Sequence, residues 1–389
     1  MSKFPVFKLN ELALEWCKGQ PFKKTDISAQ GANWCIHYGE LFTKYGVVIA
    51  SSISKTNVQG KRVSVSGDIL FPASDVTPSG LARCSALMQD NVILGGDIII
   101  MRPRPGNDPR YLSYAINYQK EQILRRVTGA LIKHLSSNAL KSVVIPIPPL
   151  EKQIDLVEKL DKISTLIAHR NLQLQKLNQL ASSRFIEMFG DPIENPKGWK
   201  QSTIGKECFY IKDGPHKSPP YVEEGIPFIS TRNVVAGDGI DWQSAKYISE
   251  ADYQECIRKC HPEKGDILYS KGGTTGIARL VETDRKFANW VHVAVLKFGQ
   301  QLNGKFFESM LNSKCCYLQS QRLTKGIANR DFVLSSIAQV IIIVPPIELQ
   351  NEFAAFIEQL DKSKLAAEEQ GKKLEKIICN DILQKRIRE

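Results

Sequence analysis

Arg and Asn carry planar forks that match the edges of guanine and adenine, while Lys and Thr suit phosphate oxygens or base edges. In this 389-residue chain such residues gather in loop-like stretches, not in catalytic motifs. The stretch Lys271-Gly272-Gly273-Thr274-Thr275-Gly276 is glycine-rich. It is neither G-x-G-x-x-G nor a P-loop, which ends in Lys-Ser/Thr. It reads either as a backbone turn set against a phosphate or base edge, or as a plain loop. Adenine methyltransferases need Asn/Asp-Pro-Pro-aromatic to hold an amino group. Ile147-Pro148-Pro149-Leu150 and Val344-Pro345-Pro346-Ile347 carry apolar residues at both places, so they read as helix starts. No H-E-x-x-H, G-x-S-x-G or kinase signature is present. Cys256, Cys260 and His261 lack a second Cys/His pair at ligand spacing, so no metal is expected there. The residues read as those of a binder, not an enzyme.

The elements that must position them are written twice. Gly129, Pro148-Pro149 and Gln153 recur as Gly326, Pro345-Pro346 and Gln350, each 197 residues on, and Gly67-Asp68-Ile69-Leu70 recurs as Gly265-Asp266-Ile267-Leu268. A period near 200 exceeds the roughly 20–50 residues of a solenoid unit and is the size of a domain. In the first copy, strand-like runs bounded by turn residues cover Val63 to Val65, Asp68 to Phe71, Val92 to Leu94, Asp97 to Met101 and Val143 to Ile147, with a helical patch from Tyr111 to Val127. In the second they cover Phe228 to Ser230, Asp266 to Tyr269, Trp290 to Phe298 and Val340 to Val344, with a helical patch from Lys305 to Leu323. Short strands mixed with helices predict an α+β class.

After each Pro-Pro the apolar spacing becomes heptad-like. The first seam is Leu156, Leu160, Ile163, Ile167, Leu174, Leu177 and Ala181. The second is Phe353, Ile357, Leu360, Ala367, Leu374 and Ile378. Two such stripes can pair as a coiled coil, or each can pack on its own globular unit. The expected organisation is a globular unit over 1–148, a helix over 149–190, a second unit over 191–345 and a second helix over 346–389.

Net charge is +11. Residues 1–150 hold 18 basic against 10 acidic side chains, a net +8, and residues 191–345 hold 20 against 17, a net +3. Residues 151–190 and 346–389 come to +1 and −1. The excess on the globular units suits a polyanion; a basic surface without a ligand is the alternative. Nine cysteines without a disulfide-like framework, no apolar leader in the first 16 residues and no apolar run of membrane length make a cytoplasmic chain, with no membrane partner, the expectation.

Asp213-Gly214-Pro215-His216-Lys217-Ser218-Pro219-Pro220-Tyr221, Gly225-Ile226-Pro227-Phe228-Ile229-Ser230, Arg232-Asn233-Val234, Lys246-Tyr247-Ile248-Ser249 and Gly273-Thr274-Thr275-Gly276 follow one another in an order that closely resembles the target-recognition domain of type I restriction-modification specificity subunits. The junction Arg184-Phe185-Ile186-Glu187-Met188-Phe189-Gly190-Asp191-Pro192 and the segments Leu349-Gln350-Asn351-Glu352-Phe353 and Leu360-Asp361-Lys362-Ser363-Lys364 are similar to that family too. The resemblance spans essentially the whole chain and is weaker over residues 1–110. It implies two tandem target-recognition domains related by an internal pseudo-two-fold repeat and tied by two long helices packed as an antiparallel coiled coil. Each domain would read one half of a split, asymmetric site in double-stranded DNA, with the helix pair fixing the gap. It further implies that the chain is non-catalytic and holds no cofactor. Two methyltransferase subunits would bring S-adenosylmethionine, and motor-nuclease subunits would bring ATP and Mg2+. A self-contained methyltransferase and a coiled-coil scaffold without DNA are the rival readings.

Within that frame the expected DNA contacts of the second domain are His216, Lys217, Arg232, Asn233, Lys271, Thr274, Thr275, Asn329 and Arg330. Those of the first are Lys55, Lys61, Arg62, Arg83 and Lys133. For each one a solvated surface charge or polar group is the alternative.

Overall fold

The computed structural model describes residues 4–326 and 330–377. The chain forms two compact units. One comprises Met1–Asn171 with the stretch from Glu369 onward, and the other comprises Leu172–Glu368.

Each unit repeats the same strand plan. In the first, a sheet runs in the order Ala13–Lys18, Ile98–Pro103, Asp68–Pro72, Ser85–Leu87, Val48–Ile49. In the second the order is Cys208–Asp213, Val293–Phe298, Ile267–Ser270, Ala278–Leu280. A three-stranded sheet accompanies each. Its central strand, Asn33–Ile36 or Ile226–Ile229, pairs antiparallel on one side and parallel on the other. Each unit is closed by a two-stranded pair, Val6–Lys8 with Val144–Pro146 and Lys200–Thr203 with Ile341–Val344. The duplication therefore reaches into residues 1–110, where the sequence likeness is weak.

The apolar runs explain the layering. Successive side chains of a strand point to opposite faces. Ile99 and Met101 enter one core and Ile98 and Ile100 another. In the second unit Ala294 and Leu296 enter one core and Val293 and Val295 another. The central strand is buried on both faces and so needs an unbroken apolar run. Val63 to Val65 forms no strand: Val63 makes a single bridge to Ile93, and Ser64 Oγ donates to the Gln89 carbonyl (2.7 Å). The helical patches each break in two, at Gln119 and at Ser313, whose hydroxyl accepts from the Cys316 N–H.

The repeated glutamine has a structural task in both copies. Gln153 is buried; its Oε1 accepts from Asp108 N (2.9 Å), and its Nε2 donates to the Pro148 carbonyl (2.9 Å) and Asn107 Oδ1 (2.8 Å). Gln350 is buried; its Oε1 accepts from Asn303 N (2.9 Å), and its Nε2 donates to the carbonyls of Pro345 (2.8 Å) and Gln301 (3.0 Å). Asp108 and Asn303 are the N-caps of Pro109–Tyr118 and Gly304–Leu311. Each glutamine thus pins the first turn of a long helix to a helix of its own unit. Gln153→Ala and Gln350→Ala will each cost about 1–3 kcal/mol, because buried amide partners are left unpaired. Denaturant unfolding of the single variants checks this.

The long helices are Leu150–Phe189 and Ile347–Lys376, each starting directly after its proline doublet. At 1.5 Å per residue they are about 60 and 45 Å long. Their early turns serve their own units. Leu156 and Leu160, with Ile163 beside them, enter the first core, and Phe353, Ile357 and Leu360 enter the second. Leu177 and Ala181 of the first helix pack on that second core. Phe185 and Phe189 meet Phe353 at 5.6 and 5.5 Å, and Arg184 pairs with Glu352 at 3.0 Å. Asp238 meets both Asn178 (3.1 Å) and Lys364 (3.7 Å). Within the second unit the helices therefore run antiparallel. Ile167, Leu174 and Leu374 are half-buried, and Ile378 lies outside the described residues. Among the described residues no helix is long and apolar enough to cross a membrane.

Candidate nucleic-acid interface

In the second unit, four chain segments end at one edge because their strands are neighbours. Asp213 pairs with Ala294, Ser270 pairs with Val293, and Trp290 N donates to the Ile229 carbonyl (2.8 Å). The segments leaving these strands carry His216 and Lys217, Lys271 to Thr275, and Trp290 to His292, while Arg232 and Asn233, expected on a loop, lie in the short helix Thr231–Val235 capped by Ser230. A fifth segment joins them: Gly272 bridges to Asp331, so Arg330 arrives at the same place.

Burial sorts these residues into a frame and a face. Lys271 is buried, with Nζ 3.0 Å from Asp331 Oδ1 and 3.4 Å from Asp213 Oδ2. It bolts the glycine-rich loop to two other segments. Asn233 is buried; its Oδ1 accepts from Ser230 N (2.9 Å) and Oγ (2.7 Å), and its Nδ2 donates to the Asp241 carbonyl (3.0 Å) and Ser244 Oγ (3.2 Å). Thr275 is buried, its hydroxyl 3.0 Å from Thr324 Oγ1. Arg330 is half-buried, donating to Gln321 Oε1, and its carbonyl accepts from Gly273 N (3.2 Å). Exposed on this edge are His216, Lys217, Arg232 and Thr274. Asn329 lies outside the described residues.

His292 and Trp290 escaped the reading from sequence. Their rings meet edge to face at 4.5 Å. The His292 carbonyl accepts from Lys271 N (2.9 Å), Gly272 N (3.3 Å) and Thr231 Oγ1 (3.1 Å), so it ties two loops together. A Cβ at Gly272 would lie 1.9 Å from the His292 ring, which is why that position is glycine. Burial first, then the nearby Lys271 cation, holds the His292 imidazole below its ordinary pKa, so the neutral ring is favoured. Among the described residues the buried nitrogens His292 Nδ1 and Trp290 Nε1 have no hydrogen-bond partner. The only sequence signal for this pair is its position at the start of the strand Val293–Phe298, whose neighbours the chain order does not reveal.

The five residues of the first unit sit on four separate stretches of chain, Lys61 and Arg62 sharing one. Lys55 lies over the exposed ring of Trp34 (4.6 Å), its cross-strand partner. Arg62 is exposed and 3.4 Å from Glu15; Lys61 is exposed, with its backbone N–H on Gln20 Oε1 (2.7 Å). Arg83 is half-buried and donates to the carbonyls of Phe42 (3.4 Å) and Tyr45 (3.1 Å); burial lowers its pKa. Lys133 donates to the Gly129 carbonyl (2.7 Å) on a ribbon in which Lys133 and His134 pair with Asp75 and Ser74.

Cys256 and Cys260 are core residues. Cys256 packs with Phe228, Ile248 and Tyr253, and Cys260 with Ile229 and Val234. Burial pushes the Cys260 thiol up to about 11. Among the described residues no three His, Cys, Asp or Glu side chains are grouped as metal ligands.

The family described as type I restriction modification DNA specificity domain matches residues 1–179 and 196–377. The type I restriction enzyme MjaVIII specificity subunit of Methanocaldococcus jannaschii is 24% identical over 302 residues, covering 72% of this chain and 71% of its own length. The putative MjaX specificity subunit of the same organism is 25% identical over 367 residues, covering 89% of this chain and 84% of its own. A crystal structure of the S subunit from M. genitalium superposes with a TM-score of 0.56 at 17% identity, over 100% of this chain and 96% of that one, a likeness of fold.

Proposed function

The chain belongs to the type I restriction-modification DNA specificity family, and from that premise we propose that it is the sequence-reading subunit of a methylating and cleaving complex. It recognises double-stranded DNA and performs no chemistry itself. The first unit reads one half of a split, asymmetric site and the second unit the other. The antiparallel long helices set the gap between the halves. Two methyltransferase subunits dock on the chain and bring S-adenosylmethionine; motor-nuclease subunits bring ATP and Mg2+.

The observation that carries this reading is the repeated strand plan. Two units built on the same pairings can each present an edge to DNA, while their loops differ and so read different bases. In the second unit the exposed His216, Lys217, Arg232 and Thr274 make that contact, on a frame fixed by Asn233, Lys271 and Thr275. In the first unit Lys55, Lys61, Arg62 and Lys133 supply phosphate or base contacts, and Arg83 shapes the loop that it caps.

Adenine methylation mapped genome-wide with and without this chain tests the proposal. With the chain and its methyltransferase subunits, methylation falls at one bipartite motif, and without the chain it disappears. Methylation that persists without the chain, or S-adenosylmethionine turnover by the chain alone, refutes it. Binding to the mapped duplex will also weaken steeply with salt, through counterion release.

A further inference from the structure

We propose that Val76, Leu131 and Ile132 form an apolar wedge that the first unit inserts between base steps of its DNA half-site. This rests on the reading of the chain as a DNA specificity subunit and adds a contact of a different kind. In the second unit Gly272 and Lys325 each bridge to Asp331, on the edge that carries Lys271, Thr274 and Arg330. In the first unit Ser74 pairs with His134. Position 74 lies 198 residues before Gly272, and position 134 lies 197 before Asp331. The two contacts are therefore the same contact. Val76 stands where the second unit has Thr274, and Leu131 and Ile132 stand where its sequence reads Ala328 and Asn329.

The two copies differ in chemistry at this shared place. Thr274 is polar, whereas Val76, Leu131 and Ile132 are 74%, 90% and 54% exposed. The tip that carries the last two is tightly made. Thr128 and His134 exchange backbone hydrogen bonds (3.1 and 2.8 Å), and Lys133 Nζ holds the Gly129 carbonyl. Gly129 sits at φ +102°, and a Cβ there would lie 2.1 Å from the Ile132 carbonyl oxygen. A preformed tip loses little freedom on binding. Lys133 follows the tip and the exposed Arg125 precedes the turn, while the acid beside them, Asp75, is turned to Val76 N (2.7 Å) and Thr77 Oγ1 (2.8 Å). Leu and Ile wedges with basic neighbours unstack a base step and bend the duplex. Position on the DNA-facing edge and this charge favour nucleic acid over a protein surface as the occupant.

The test uses the full complex of this chain with its methyltransferase subunits and a duplex carrying the site mapped by methylation. 2-Aminopurine is placed in turn at each position of both halves. The wild type gives a fluorescence rise at one step in one half, away from the methylated adenine. The double variant L131S/I132S abolishes that rise and weakens binding about 10- to 100-fold, with discrimination at the other half unchanged. L131M, which keeps an apolar tip, retains both signals. Unchanged affinity and fluorescence in L131S/I132S overturn the wedge. So does loss of methyltransferase-subunit retention while DNA binding persists, which would assign the patch to a protein partner. A wild-type complex that methylates no site refutes the specificity-subunit reading, and the wedge with it.

Discussion

Inserting four residues after Asn171 and four after Glu368 will lengthen the gap in the methylated motif by about two base pairs and leave both half-sequences unchanged. The two insertion points are where the compact units divide, between Asn171 and Leu172 in one long helix and between Glu368 and Glu369 in the other. Four residues add about 6 Å of helix, against about 3.4 Å per base pair. They also add little more than one turn, so the apolar stripe is rotated by only about 40°. Seven residues in each helix preserve the heptad register and add about 10 Å, or three base pairs. Four residues in the first helix alone lengthen one of the two connections between the units and not the other, and the expected result is a lower melting temperature instead of a new gap. Methylation sequencing of each variant reads the outcome. A gap that stays fixed in both paired insertions removes the helices as the spacer.

That experiment depends on features that the sequence displays openly, because they are local or periodic. The proline doublets lead directly into helices at Leu150 and Ile347, and the heptad stripes identify side chains that the cores take up. The division of labour along each stripe was less visible. Leu156 and Phe353 look alike in a heptad, yet each is claimed by its own globular core. The edge of the second unit was legible in part. Glycines and basic residues mark its loops, but whether a side chain faces inward depends on partners far along the chain. Lys271 meets Asp331 across 60 residues, and Asn233 is held by a local cap that closes only when Asp241 and Ser244 fold back. His292 could not be seen at all from spacing, because its neighbours Lys271 and Thr231 arrive through sheet pairing. The first 60 residues hid their strands for another reason: Asn33–Ile36 and Ser54–Thr56 are short, and the second has no apolar residue.

The sharpest separation of frame from face is between Arg232 and Asn233, adjacent in sequence and opposite in environment. Arg232→Ala will leave the melting temperature within experimental error, because the side chain is exposed. It will weaken binding only through the half-site of the second unit. If Arg232 meets a phosphate, the loss will be uniform across sequences and the salt slope will fall by about one; if it meets a guanine, discrimination at one position will relax by about 1–3 kcal/mol. Asn233→Ala will do the reverse. It strands the Ser230 N–H and the Asp241 carbonyl, whose bonds at 2.9 and 3.0 Å shape the turn. The cost is about 1–3 kcal/mol, at about 2–4 °C per kcal/mol for a unit of this size. Lys271→Met goes further, since it leaves Asp213 and Asp331 facing each other without the cation between them. Stranding a buried charge costs about 3–5 kcal/mol, but Asp331 is half-exposed and water replaces its lost partner, so only Asp213 carries that cost. Asp213 keeps Lys259 at 2.8 Å, which sets the expectation at the lower end. Calorimetric melting and salt-dependent binding of the three variants, each scored on duplexes altered in one half-site or the other, check the whole pattern. If Arg232→Ala destabilises the fold, or Asn233→Ala weakens both half-sites equally with no loss of stability, the assignment of frame and face in the second unit is wrong.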